Sequence, residues 1–545
     1  MKATLLLTVA ALAGCATEGS FDLVLSLPDD PELRPNGMTT VTVVLTQGEE
    51  QPIATTSVLE GASFSAGDIA AADNVRIEVQ LRDVTNRLVG VGEATEPVDI
   101  VAGEITTVTI PVRRPFVYAS NGAALFSFDP TLDPTDSKFQ STLMGVTSPQ
   151  VAVSVGGDRL AIVGSSQISV FATDTNRPVG SPIALPGTTR DAAAVPGTRK
   201  VAVATDRGIS IVDIDSGAVA NAMVGPVDRI TVGPAADGRY LAHGLVGRVT
   251  PEVNPLATCT GSSSIVTIDV DAPSDATPRV LPEPVADLAA APDSVGLFAA
   301  LPCSGKVVRL QGSIDAGSTD TPTFMDFATL PHASVIAVTG GRVYAAGTAP
   351  STPHCVASNG VDAACQTDAP TGRCPPAGPL PANSVDYVTD GAHVIVQSIP
   401  LAGGMPVTLD VPGRRETIFD DDDPAKQHAQ VLQAFGTVPL DLVALPGGQQ
   451  VGIVTKSNYY IQQLTNGVQV VLPCIDATTA DWMLLDLASS SIAQRVRTSC
   501  ALTVGPASPP PDGFPNWKCD VPPPGERSSF GEYVPLSVGA LFGAR

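Results

Sequence analysis

The sequence predicts an all-β protein. Short apolar runs rich in β-branched residues recur along the 545-residue chain, separated by turn-forming residues. The 50 Gly and 49 Pro residues are spread among these runs, which favours many short strands over disorder. The pattern is clearest within residues 190–224, where four runs alternate with Pro-Gly, Asp-Arg-Gly and Asp-Ser-Gly turns. Four antiparallel strands in about 35 residues, repeated along the chain, are typical of a β-propeller blade. In this stretch the strands are predicted at 191–195, 201–205, 209–214 and 219–224.

The first residues of the chain are predicted to be an export signal. Lys2 precedes an apolar run over residues 3–13, which is too short to span a bilayer. The residues Leu-Ala-Gly-Cys that end at Cys15 resemble the lipobox of bacterial lipoproteins. That resemblance implies that residues 1–14 are a removed signal peptide and that Cys15 is acylated, with residues 15–20 as a lipidated tether. Ala16, where similar lipoproteins retained at the inner membrane have Asp, favours the outer membrane, on its periplasmic or cell-surface side.

The composition limits the partners. The formal net charge of −24 argues against nucleic acid or anionic lipid as the main partner. No second apolar run is long enough to cross a membrane, so the lipid on Cys15 is the only membrane anchor that the sequence predicts. We therefore expect contact with the membrane through the lipid and with a protein or glycan through the folded part.

Eight further cysteines, an even number in an exported chain, favour disulfides. The C-x-x-C pairs usual for zinc sites do not occur. Cys259 with Cys303 is the first predicted pair, because these residues fall in insertions of neighbouring blades, and Cys474 with Cys500 is the second. The disulfide candidates are Cys259, Cys303, Cys355, Cys365, Cys374, Cys474, Cys500 and Cys519.

Residues 21–113 are predicted to form a separate small β-sandwich. About seven strand patterns with one polar face occur in this stretch. The module resembles the immunoglobulin-like or transthyretin-like domains that follow the tether of surface lipoproteins, which implies a role in spacing and presentation. The clearest strand patterns lie at 21–27, 39–45, 75–81, 88–91 and 105–112.

Residues 114–545 are predicted to form a propeller. Six hairpin turns between first and second strands define six blades. Residues 116–128 match only the second and third strands of a seventh blade, and residues 533–542 form a lone strand pattern. If the C-terminal strand supplies the missing strand of this seventh blade, the ring closes and two exposed sheet edges disappear. We therefore predict seven blades, with eight as the alternative because residues 385–388 could begin a further hairpin.

The repeat resembles the degenerate YVTN/WD40-like propellers of bacterial surface proteins. Trp-Asp dipeptides, kelch signatures and sialidase-type Asp boxes do not occur, so the resemblance stops at the fold. Quinone-dependent propeller enzymes usually carry a Trp in each blade, and this chain has Trp482 and Trp517 only.

The sequence predicts no catalytic, cofactor or metal site. Its five His residues show no common spacing, and the carboxylates at 420–423 lack the alternating pattern that wraps a cation. The predicted innermost strands are mostly Ala and Val, although Asp191, Asp287 and Asp441 recur near the starts of three of them.

Two functions remain open on the sequence. The first is a cell-envelope lipoprotein whose propeller is a non-enzymatic platform for a protein or glycan. The alternative is a propeller hydrolase, lactonase or lyase with a metal in the central channel, which a ring of carboxylates on the inner strands would support. Because connections alternate between the two faces of a propeller, the cysteine-bearing insertions and the link at 412–436 are predicted to share one face, with the sandwich on the other.

Overall fold

The structure is a computed structural model that describes residues 18–504 and 537–539 with internal gaps. The predicted signal segment, Cys15 and the acidic run at 420–423 lie outside the described residues. The gaps are 48–52, 60–62, 85–87, 95, 121–124, 130, 133–139, 144–147, 173–176, 251–258, 260, 293, 313, 340, 350–352, 358–361, 364–384, 390–392, 412–414, 420–428, 446–449, 466–467 and 472–474.

The first part of the chain is an eight-stranded sheet, called here the N-terminal sheet. Its strands are β1 (Glu18–Ser26), β2 (Thr40–Thr46), β3 (Ile53–Val58), β4 (Ser63–Ala70), β5 (Ala72–Arg82), β6 (Leu88–Glu93), β7 (Val98–Ile100) and β8 (Ile105–Arg113). The sheet order is β3-β2-β5-β6-β8-β1-β4, with β7 paired to β5. β1 and β8 run parallel, and a 3₁₀ turn at Pro31–Leu33 precedes β2. The alternating apolar residues of β1, β2, β5 and β8 form one buried core.

The following sheets are arranged like the blades of a propeller, and six of them are built from consecutive stretches of chain. The first two contain β12 (Pro149–Val155), β13 (Arg159–Gly164), β14 (Gln167–Ala172), β15 (Arg177–Pro178) and β16 (Ile183–Ala184), then β17 (Thr189–Ala194), β18 (Lys200–Thr205), β19 (Ile209–Asp213) and β20 (Val219–Ala222). The next two contain β21 (Arg229–Pro234), β22 (Tyr240–Val246), β23 (Ser264–Asp269) and β24 (Arg279–Val280), then β25 (Asp287–Ala290), β26 (Leu297–Leu301), β27 (Lys306–Gln311) and β28 (Thr323–Thr329). The fifth contains β29 (Val335–Thr339), β30 (Arg342–Thr348), β34 (Val394–Pro400) and β35 (Val407–Val411). The sixth contains β36 (Arg415–Phe419), β37 (Ala429–Ala444), β38 (Gln450–Thr465), β39 (Val468–Val471), β40 (Ile475–Asp486) and β41 (Ser491–Val504).

The blade of β17 to β20 agrees with the sequence prediction strand by strand. Its strands pair antiparallel in chain order. Gly197 and Gly217, in the first and third predicted turns, adopt φ of 65° and 74°, a conformation that costs Gly little because it lacks a Cβ. β18 is almost wholly buried, since both of its faces pack against neighbouring blades.

A further sheet joins distant parts of the chain. β9 (Val117–Ser120), β10 (Leu125–Phe128) and β11 (Gln140–Leu143) pair in order, and β42 (Ser537–Gly539) pairs antiparallel with the free edge of β9. Val538 lies opposite Ala119. The predicted pairing of the C-terminal strand with residues 116–128 is therefore present.

Two connections differ from the sequence prediction. The link at 412–436, predicted as a connection between blades, contains β36 and the first half of β37, which the sequence analysis did not predict as strands. The insertion after β30 contains β31 (Pro353–Ala357), β32 (Asp362–Ala363) and β33 (Val385–Thr389), which form their own sheet. β33, the strand behind the eight-blade alternative, pairs with β31 rather than with the strand that follows it.

The two faces of the propeller carry different connections. Arg229 at the start of β21 lies opposite Leu245 near the end of β22, so the connection from second to third strand leaves beside the start of the inner strand. We call this side the braced face, defined by the second-to-third connections 247–263, 302–305 and 349–393. Cys259 and Cys303 form a disulfide between the first two of these, with Cα atoms 5.5 Å apart, which confirms the first predicted pair.

The N-terminal sheet packs against the propeller on the opposite side. Leu33 lies in one buried cluster with Phe116 and Tyr118, and its carbonyl accepts a hydrogen bond from the Arg114 amide. Leu88 of β6 lies in a second cluster that includes residues of β10, β38 and β40. Within the described residues, no helix has the length and hydrophobicity needed to cross a membrane.

Candidate functional site

Four charged side chains from four different blades meet at the centre of the propeller. Asp191 of β17, Asp287 of β25 and Asp441 of β37 surround Arg229 of β21, and each is at most 8% exposed. Arg229 Nη1 lies 3.5 Å from Asp191 Oδ1 and 3.6 Å from Asp441 Oδ2. Arg229 Nε lies 3.6 Å from Asp287 Oδ1. We call these four residues the central cluster.

Backbone amides hold the carboxylates of the central cluster in place. Asp191 Oδ2 accepts a hydrogen bond from the Ile230 amide in the next blade at 2.9 Å. Asp287 Oδ2 accepts one from the Ile336 amide, again in the next blade, at 3.1 Å. The carboxylates therefore serve two purposes, because they link neighbouring inner strands and also face the arginine.

Burial and mutual interaction shift the pKa values in the cluster. Burial raises the pKa of Asp191 to about 6, although the positive charge of Arg229 opposes the shift. Burial likewise raises the pKa of Asp287. For Arg229, burial alone would lower the pKa, but Asp441, Asp287 and Asp191 together outweigh it and raise the pKa above its ordinary value. Arg229 is thus held as a cation at the centre.

A second arginine approaches the cluster from the braced face. Arg248 lies just after β22, and its Nε donates a hydrogen bond to the Ala286 carbonyl at 2.7 Å. Burial, and next the charge of Arg229, lower the pKa of Arg248 to about 10. The Nη2 of Arg248 and the Nε of Arg229 are buried and have no hydrogen-bond acceptor among the described residues. The site therefore combines three carboxylates with two guanidinium groups whose donors are not all used.

The central cluster lines a cavity of about 280 Å³ in the propeller channel. Several Ala residues, including Ala192 and Ala289, form part of its wall. A second cavity of about 350 Å³ continues from it and shares Ser154 and Thr231 with it.

The N-terminal sheet covers the far end of the channel. Arg76, Glu78 and Glu93, which line the second cavity, belong to β5 and β6 of that sheet. Arg76 forms an ion pair with Glu93 there. The channel is therefore lined at one end by the N-terminal sheet and at the other, on the braced face, by the central cluster.

The structure brings together part of what the sequence suggested. Asp191, Asp287 and Asp441 do converge, as their recurrence at strand starts suggested, but Arg229 and Arg248 were missed. An isolated Arg at a strand start gives no periodic signal, and only the ring geometry brings it beside the three carboxylates. Among the described residues, no group of three His, Cys, Asp or Glu side chains is arranged to hold a metal ion.

The remaining predicted residues lie apart from the site. Cys355 falls in β31 and Cys500 in β41, opposite Thr479. Of the His residues, His243 is buried with its Nδ1 3.1 Å from Thr267 Oγ1, and burial and then Arg279 lower its pKa to about 3, so its role is structural. The candidates that lie outside the described residues are Cys15, Cys365, Cys374, Cys474 and Cys519, and the predicted Cys474–Cys500 pair stays a prediction.

No protein-family model and no curated protein matches the chain. Hydrazine synthase from Kuenenia stuttgartiensis is 13% identical, over 65% of this chain and 98% of that chain, with a TM-score of 0.35. A functionally unknown protein from Desulfotomaculum acetoxidans is 12% identical, over 65% and 94%, with a TM-score of 0.36. The Cps50 (Swd1) β-propeller domain of Myceliophteria thermophila is 12% identical, over 64% and 96%, with a TM-score of 0.31. Likeness at this level carries no argument about function, and the propeller-like fold rests on the sheet topology of this chain.

Proposed function

We propose that the protein is a cell-envelope lipoprotein whose propeller is a non-enzymatic scaffold that binds a protein partner through the braced face. The observation that carries this proposal is that the second-to-third connections leave the blades on this face, where the Cys259–Cys303 disulfide joins the connection 247–263 to the short connection 302–305. Loops held by a rigid scaffold are the usual place for recognition. Cross-linking such loops reduces the entropy that is lost when a partner orders them.

The position of the N-terminal sheet supports the choice of face. Its contacts through Leu33 and Leu88 cover the opposite side of the propeller, which leaves the braced face for a partner. A tether that leads into the covered side directs the braced face away from the membrane.

We extend the proposal to the architecture. We propose a seven-bladed ring closed by β42 and a sandwich-like domain over residues 21–113, followed by the propeller over residues 114–545. The pairing of β42 with β9 supports the seventh blade. The packing of β1 and β8 against β2 and β5 in one core supports the sandwich.

The metal-dependent enzyme alternative has one observation in its favour, the convergence of three carboxylates. Arg229 opposes it, because a guanidinium held between the carboxylates already supplies the positive charge that a divalent cation would bring. We therefore prefer the binding scaffold.

Lipid attachment at Cys15 and residence at the outer membrane remain part of the proposal. Mass spectrometry of protein extracted from membranes is expected to show an acylated N-terminal Cys15. Cys15→Ser is expected to release the protein or to leave it unprocessed. An unmodified N-terminus upstream of Cys15 would contradict the lipid anchor and leave the binding proposal unaffected.

The binding proposal is tested by cross-linking. The chain from residue 16 onward is incubated with an extract of bacterial outer membranes, and the cross-linked residues are identified by mass spectrometry. We expect cross-links within the braced face and their loss when residues 349–382 are replaced by a short turn. The matched control shortens the connection at 312–322, which joins the third and fourth strands of a blade and so lies on the other face. Cross-links that persist after the first change and disappear after the second would overturn the proposal, as would a glycan as the only bound material.

A further inference from the structure

Strand β3 lies at one end of the N-terminal sheet and has one open edge. Its partner is β2, and no described strand pairs with its other edge. Every residue of β3 except Ser57 is exposed, with Ile53 at 53% and Val58 at 68%. The core of the sheet contains alternate residues of β2 but none of β3. β3 therefore pairs with β2 without adding to the core.

The composition of β3 favours further pairing. Its sequence, Ile-Ala-Thr-Thr-Ser-Val, consists mostly of β-branched residues and contains no charged residue and no proline. Edge strands are usually protected against further pairing by Lys, Pro, a bulge or a covering element. The register of β3 on β2 is regular along the whole strand, so no bulge protects the edge either. Because cross-strand neighbours stabilise a strand, a further strand on the open edge would stabilise β3.

The hydrogen-bond pattern shows which backbone groups of β3 are turned to the open edge. The amide of Leu59, just after β3, donates to the Thr39 carbonyl at 3.0 Å, so this residue is turned towards β2. In an antiparallel pair, residues turned towards the neighbouring strand alternate with residues turned away from it. Ala54, Thr56 and Val58 are therefore turned to the open edge.

These three residues are arranged symmetrically about Thr56. If a second β3 lies antiparallel along the open edge, with Thr56 opposite Thr56 of the second copy, then Ala54 of each copy lies opposite Val58 of the other. This register uses all three outward-turned residues, and each exchanges two backbone hydrogen bonds with the residue opposite. Thr–Thr pairs across strands are favourable, and no like charges lie opposite each other. A second copy of this chain therefore fits the open edge.

We propose that the protein forms a two-fold symmetric dimer through β3, in which the two N-terminal sheets join into one continuous sheet. The net charge of −24 opposes self-association, but the edge itself is uncharged, so this repulsion acts at long range and is screened by salt. The N-terminal sheet packs on the side opposite the braced face, so the dimer leaves two braced faces for partners. This inference goes beyond the scaffold function, and either proposal can fail without the other.

Sedimentation velocity of the chain from residue 16 onward, which contains every described residue, tests the dimer. A single pair of short strands buries less than the about 1,200 Å² of a standard interface, so we expect a reversible dimer with a Kd on the order of 100 μM. Raising the NaCl concentration from about 50 mM to about 500 mM is expected to tighten the dimer several-fold, because it screens the repulsion between the copies. A monomer at concentrations well above this Kd, or a dimer that salt weakens, would overturn the proposal.

Two charge variants test the register. Thr56→Lys and Thr56→Glu each place like charges opposite each other at the two-fold axis, and each is expected to weaken the dimer by about fivefold or more. An equal mixture of the two variants places a lysine opposite a glutamate and is expected to recover the wild-type Kd to within about threefold. The matched controls Val84→Lys and Val84→Glu make the same changes at a residue that is 85% exposed and outside the strands, and are expected to leave the dimer unchanged.

The mixture separates the register from damage to β3. Both variants lose the hydrogen bond between the hydroxyls of Thr56 and Thr42, so damage to the strand would weaken the mixture as much as either variant alone. Ala54→Pro adds no charge and removes an amide that is turned to the open edge, so it is also expected to weaken the dimer by about fivefold. Circular dichroism and thermal unfolding establish that each variant is folded. A dimer unchanged in the Thr56 variants and in Ala54→Pro, or a mixture no tighter than either variant alone, would overturn the proposal.

Discussion

Asp191 has a buried carboxyl group whose ionisation opposes folding. Burial raises its pKa to about 6, whereas in the unfolded chain an Asp titrates near about 3.9. Between these values the folded protein binds the proton that the unfolded chain has lost. The contribution of this group to the free energy of unfolding is therefore greatest below about pH 4 and falls as the pH rises to about 6.

Asp191→Asn removes this titration but keeps a side-chain oxygen for the Ile230 amide. Between about pH 4 and pH 6, we expect the free energy of unfolding to fall less in the variant than in the wild type, by roughly 1–3 kcal/mol. Urea denaturation at several pH values measures it. The control is Asp237→Asn at an exposed site, where a hydrogen bond from Arg239 lowers the pKa of the carboxyl group. Ionised Asp237 therefore contributes stability that is lost as the pH falls towards this lowered pKa, the opposite of the dependence expected for Asp191. Parallel curves for the wild type and Asp191→Asn would contradict the prediction.

At the level of single elements, the pairing of β42 with β9 has a measurable consequence. A chain ending at Ser528 lacks β42, and the edge of β9 is then left unpaired. Val538→Pro is a milder change that removes one amide donor from the middle of β42. We expect Val538→Pro to lower the free energy of unfolding by about 1–3 kcal/mol, because Pro disrupts pairing at the centre of a short strand, and the truncation to cost more and to promote aggregation.

Thermal and urea unfolding measure both changes to the C-terminal strand. Ala544→Pro, outside β42, is the matched control and is expected to behave as the wild type does. Unchanged unfolding of the chain that ends at Ser528 would show that the pairing contributes nothing.

The Cys259–Cys303 disulfide is a second element whose contribution can be measured. It closes a loop with a sequence separation of 44 residues, for which the entropy of the unfolded chain predicts a stabilisation of about 2–4 kcal/mol. The double variant Cys259→Ser/Cys303→Ser is expected to lose up to that amount, with no lone thiol left behind. Equal urea midpoints for the two proteins would rule this out.

The strands and turns could be predicted because their signals are local. In residues 190–224, alternation and turn residues place each strand within about two residues of its position. The Cys259–Cys303 pair followed from the geometry of neighbouring blades. By contrast, β36 and the first half of β37 were missed because their residues lack a clear alternation and lie beside the acidic run. The central cluster was only partly foreseen, because nothing near Arg229 in the sequence indicates that Asp441 will lie 3.6 Å away.

On the scale of the whole molecule, the N-terminal sheet and the propeller share buried surface. Leu33 is 1% exposed in a cluster with aromatic residues of β9 and its neighbours. Leu33→Ala is expected to cost about 2–5 kcal/mol, because it leaves a cavity between the two parts. Differential scanning calorimetry measures it, and the two parts are expected to unfold in a single transition in the wild type and to separate in the variant.

The control for this contact is Leu27→Ala, since Leu27 is 37% exposed and contributes little burial. A Leu33→Ala protein that unfolds at the wild-type temperature would show that the two parts are joined only by the chain.

The pairing of β42 with β9 also bears on how the protein folds while it is made. β9 precedes almost all of the propeller strands and β42 follows them, so the sheet they share cannot form before β42 has left the ribosome. Contacts between such distant parts of a chain form late and slowly. If the chain is exported as proposed, this sheet closes only when transport of the chain is nearly complete. The order of the strands along the chain thus delays the closure of this sheet until β42 has been synthesised.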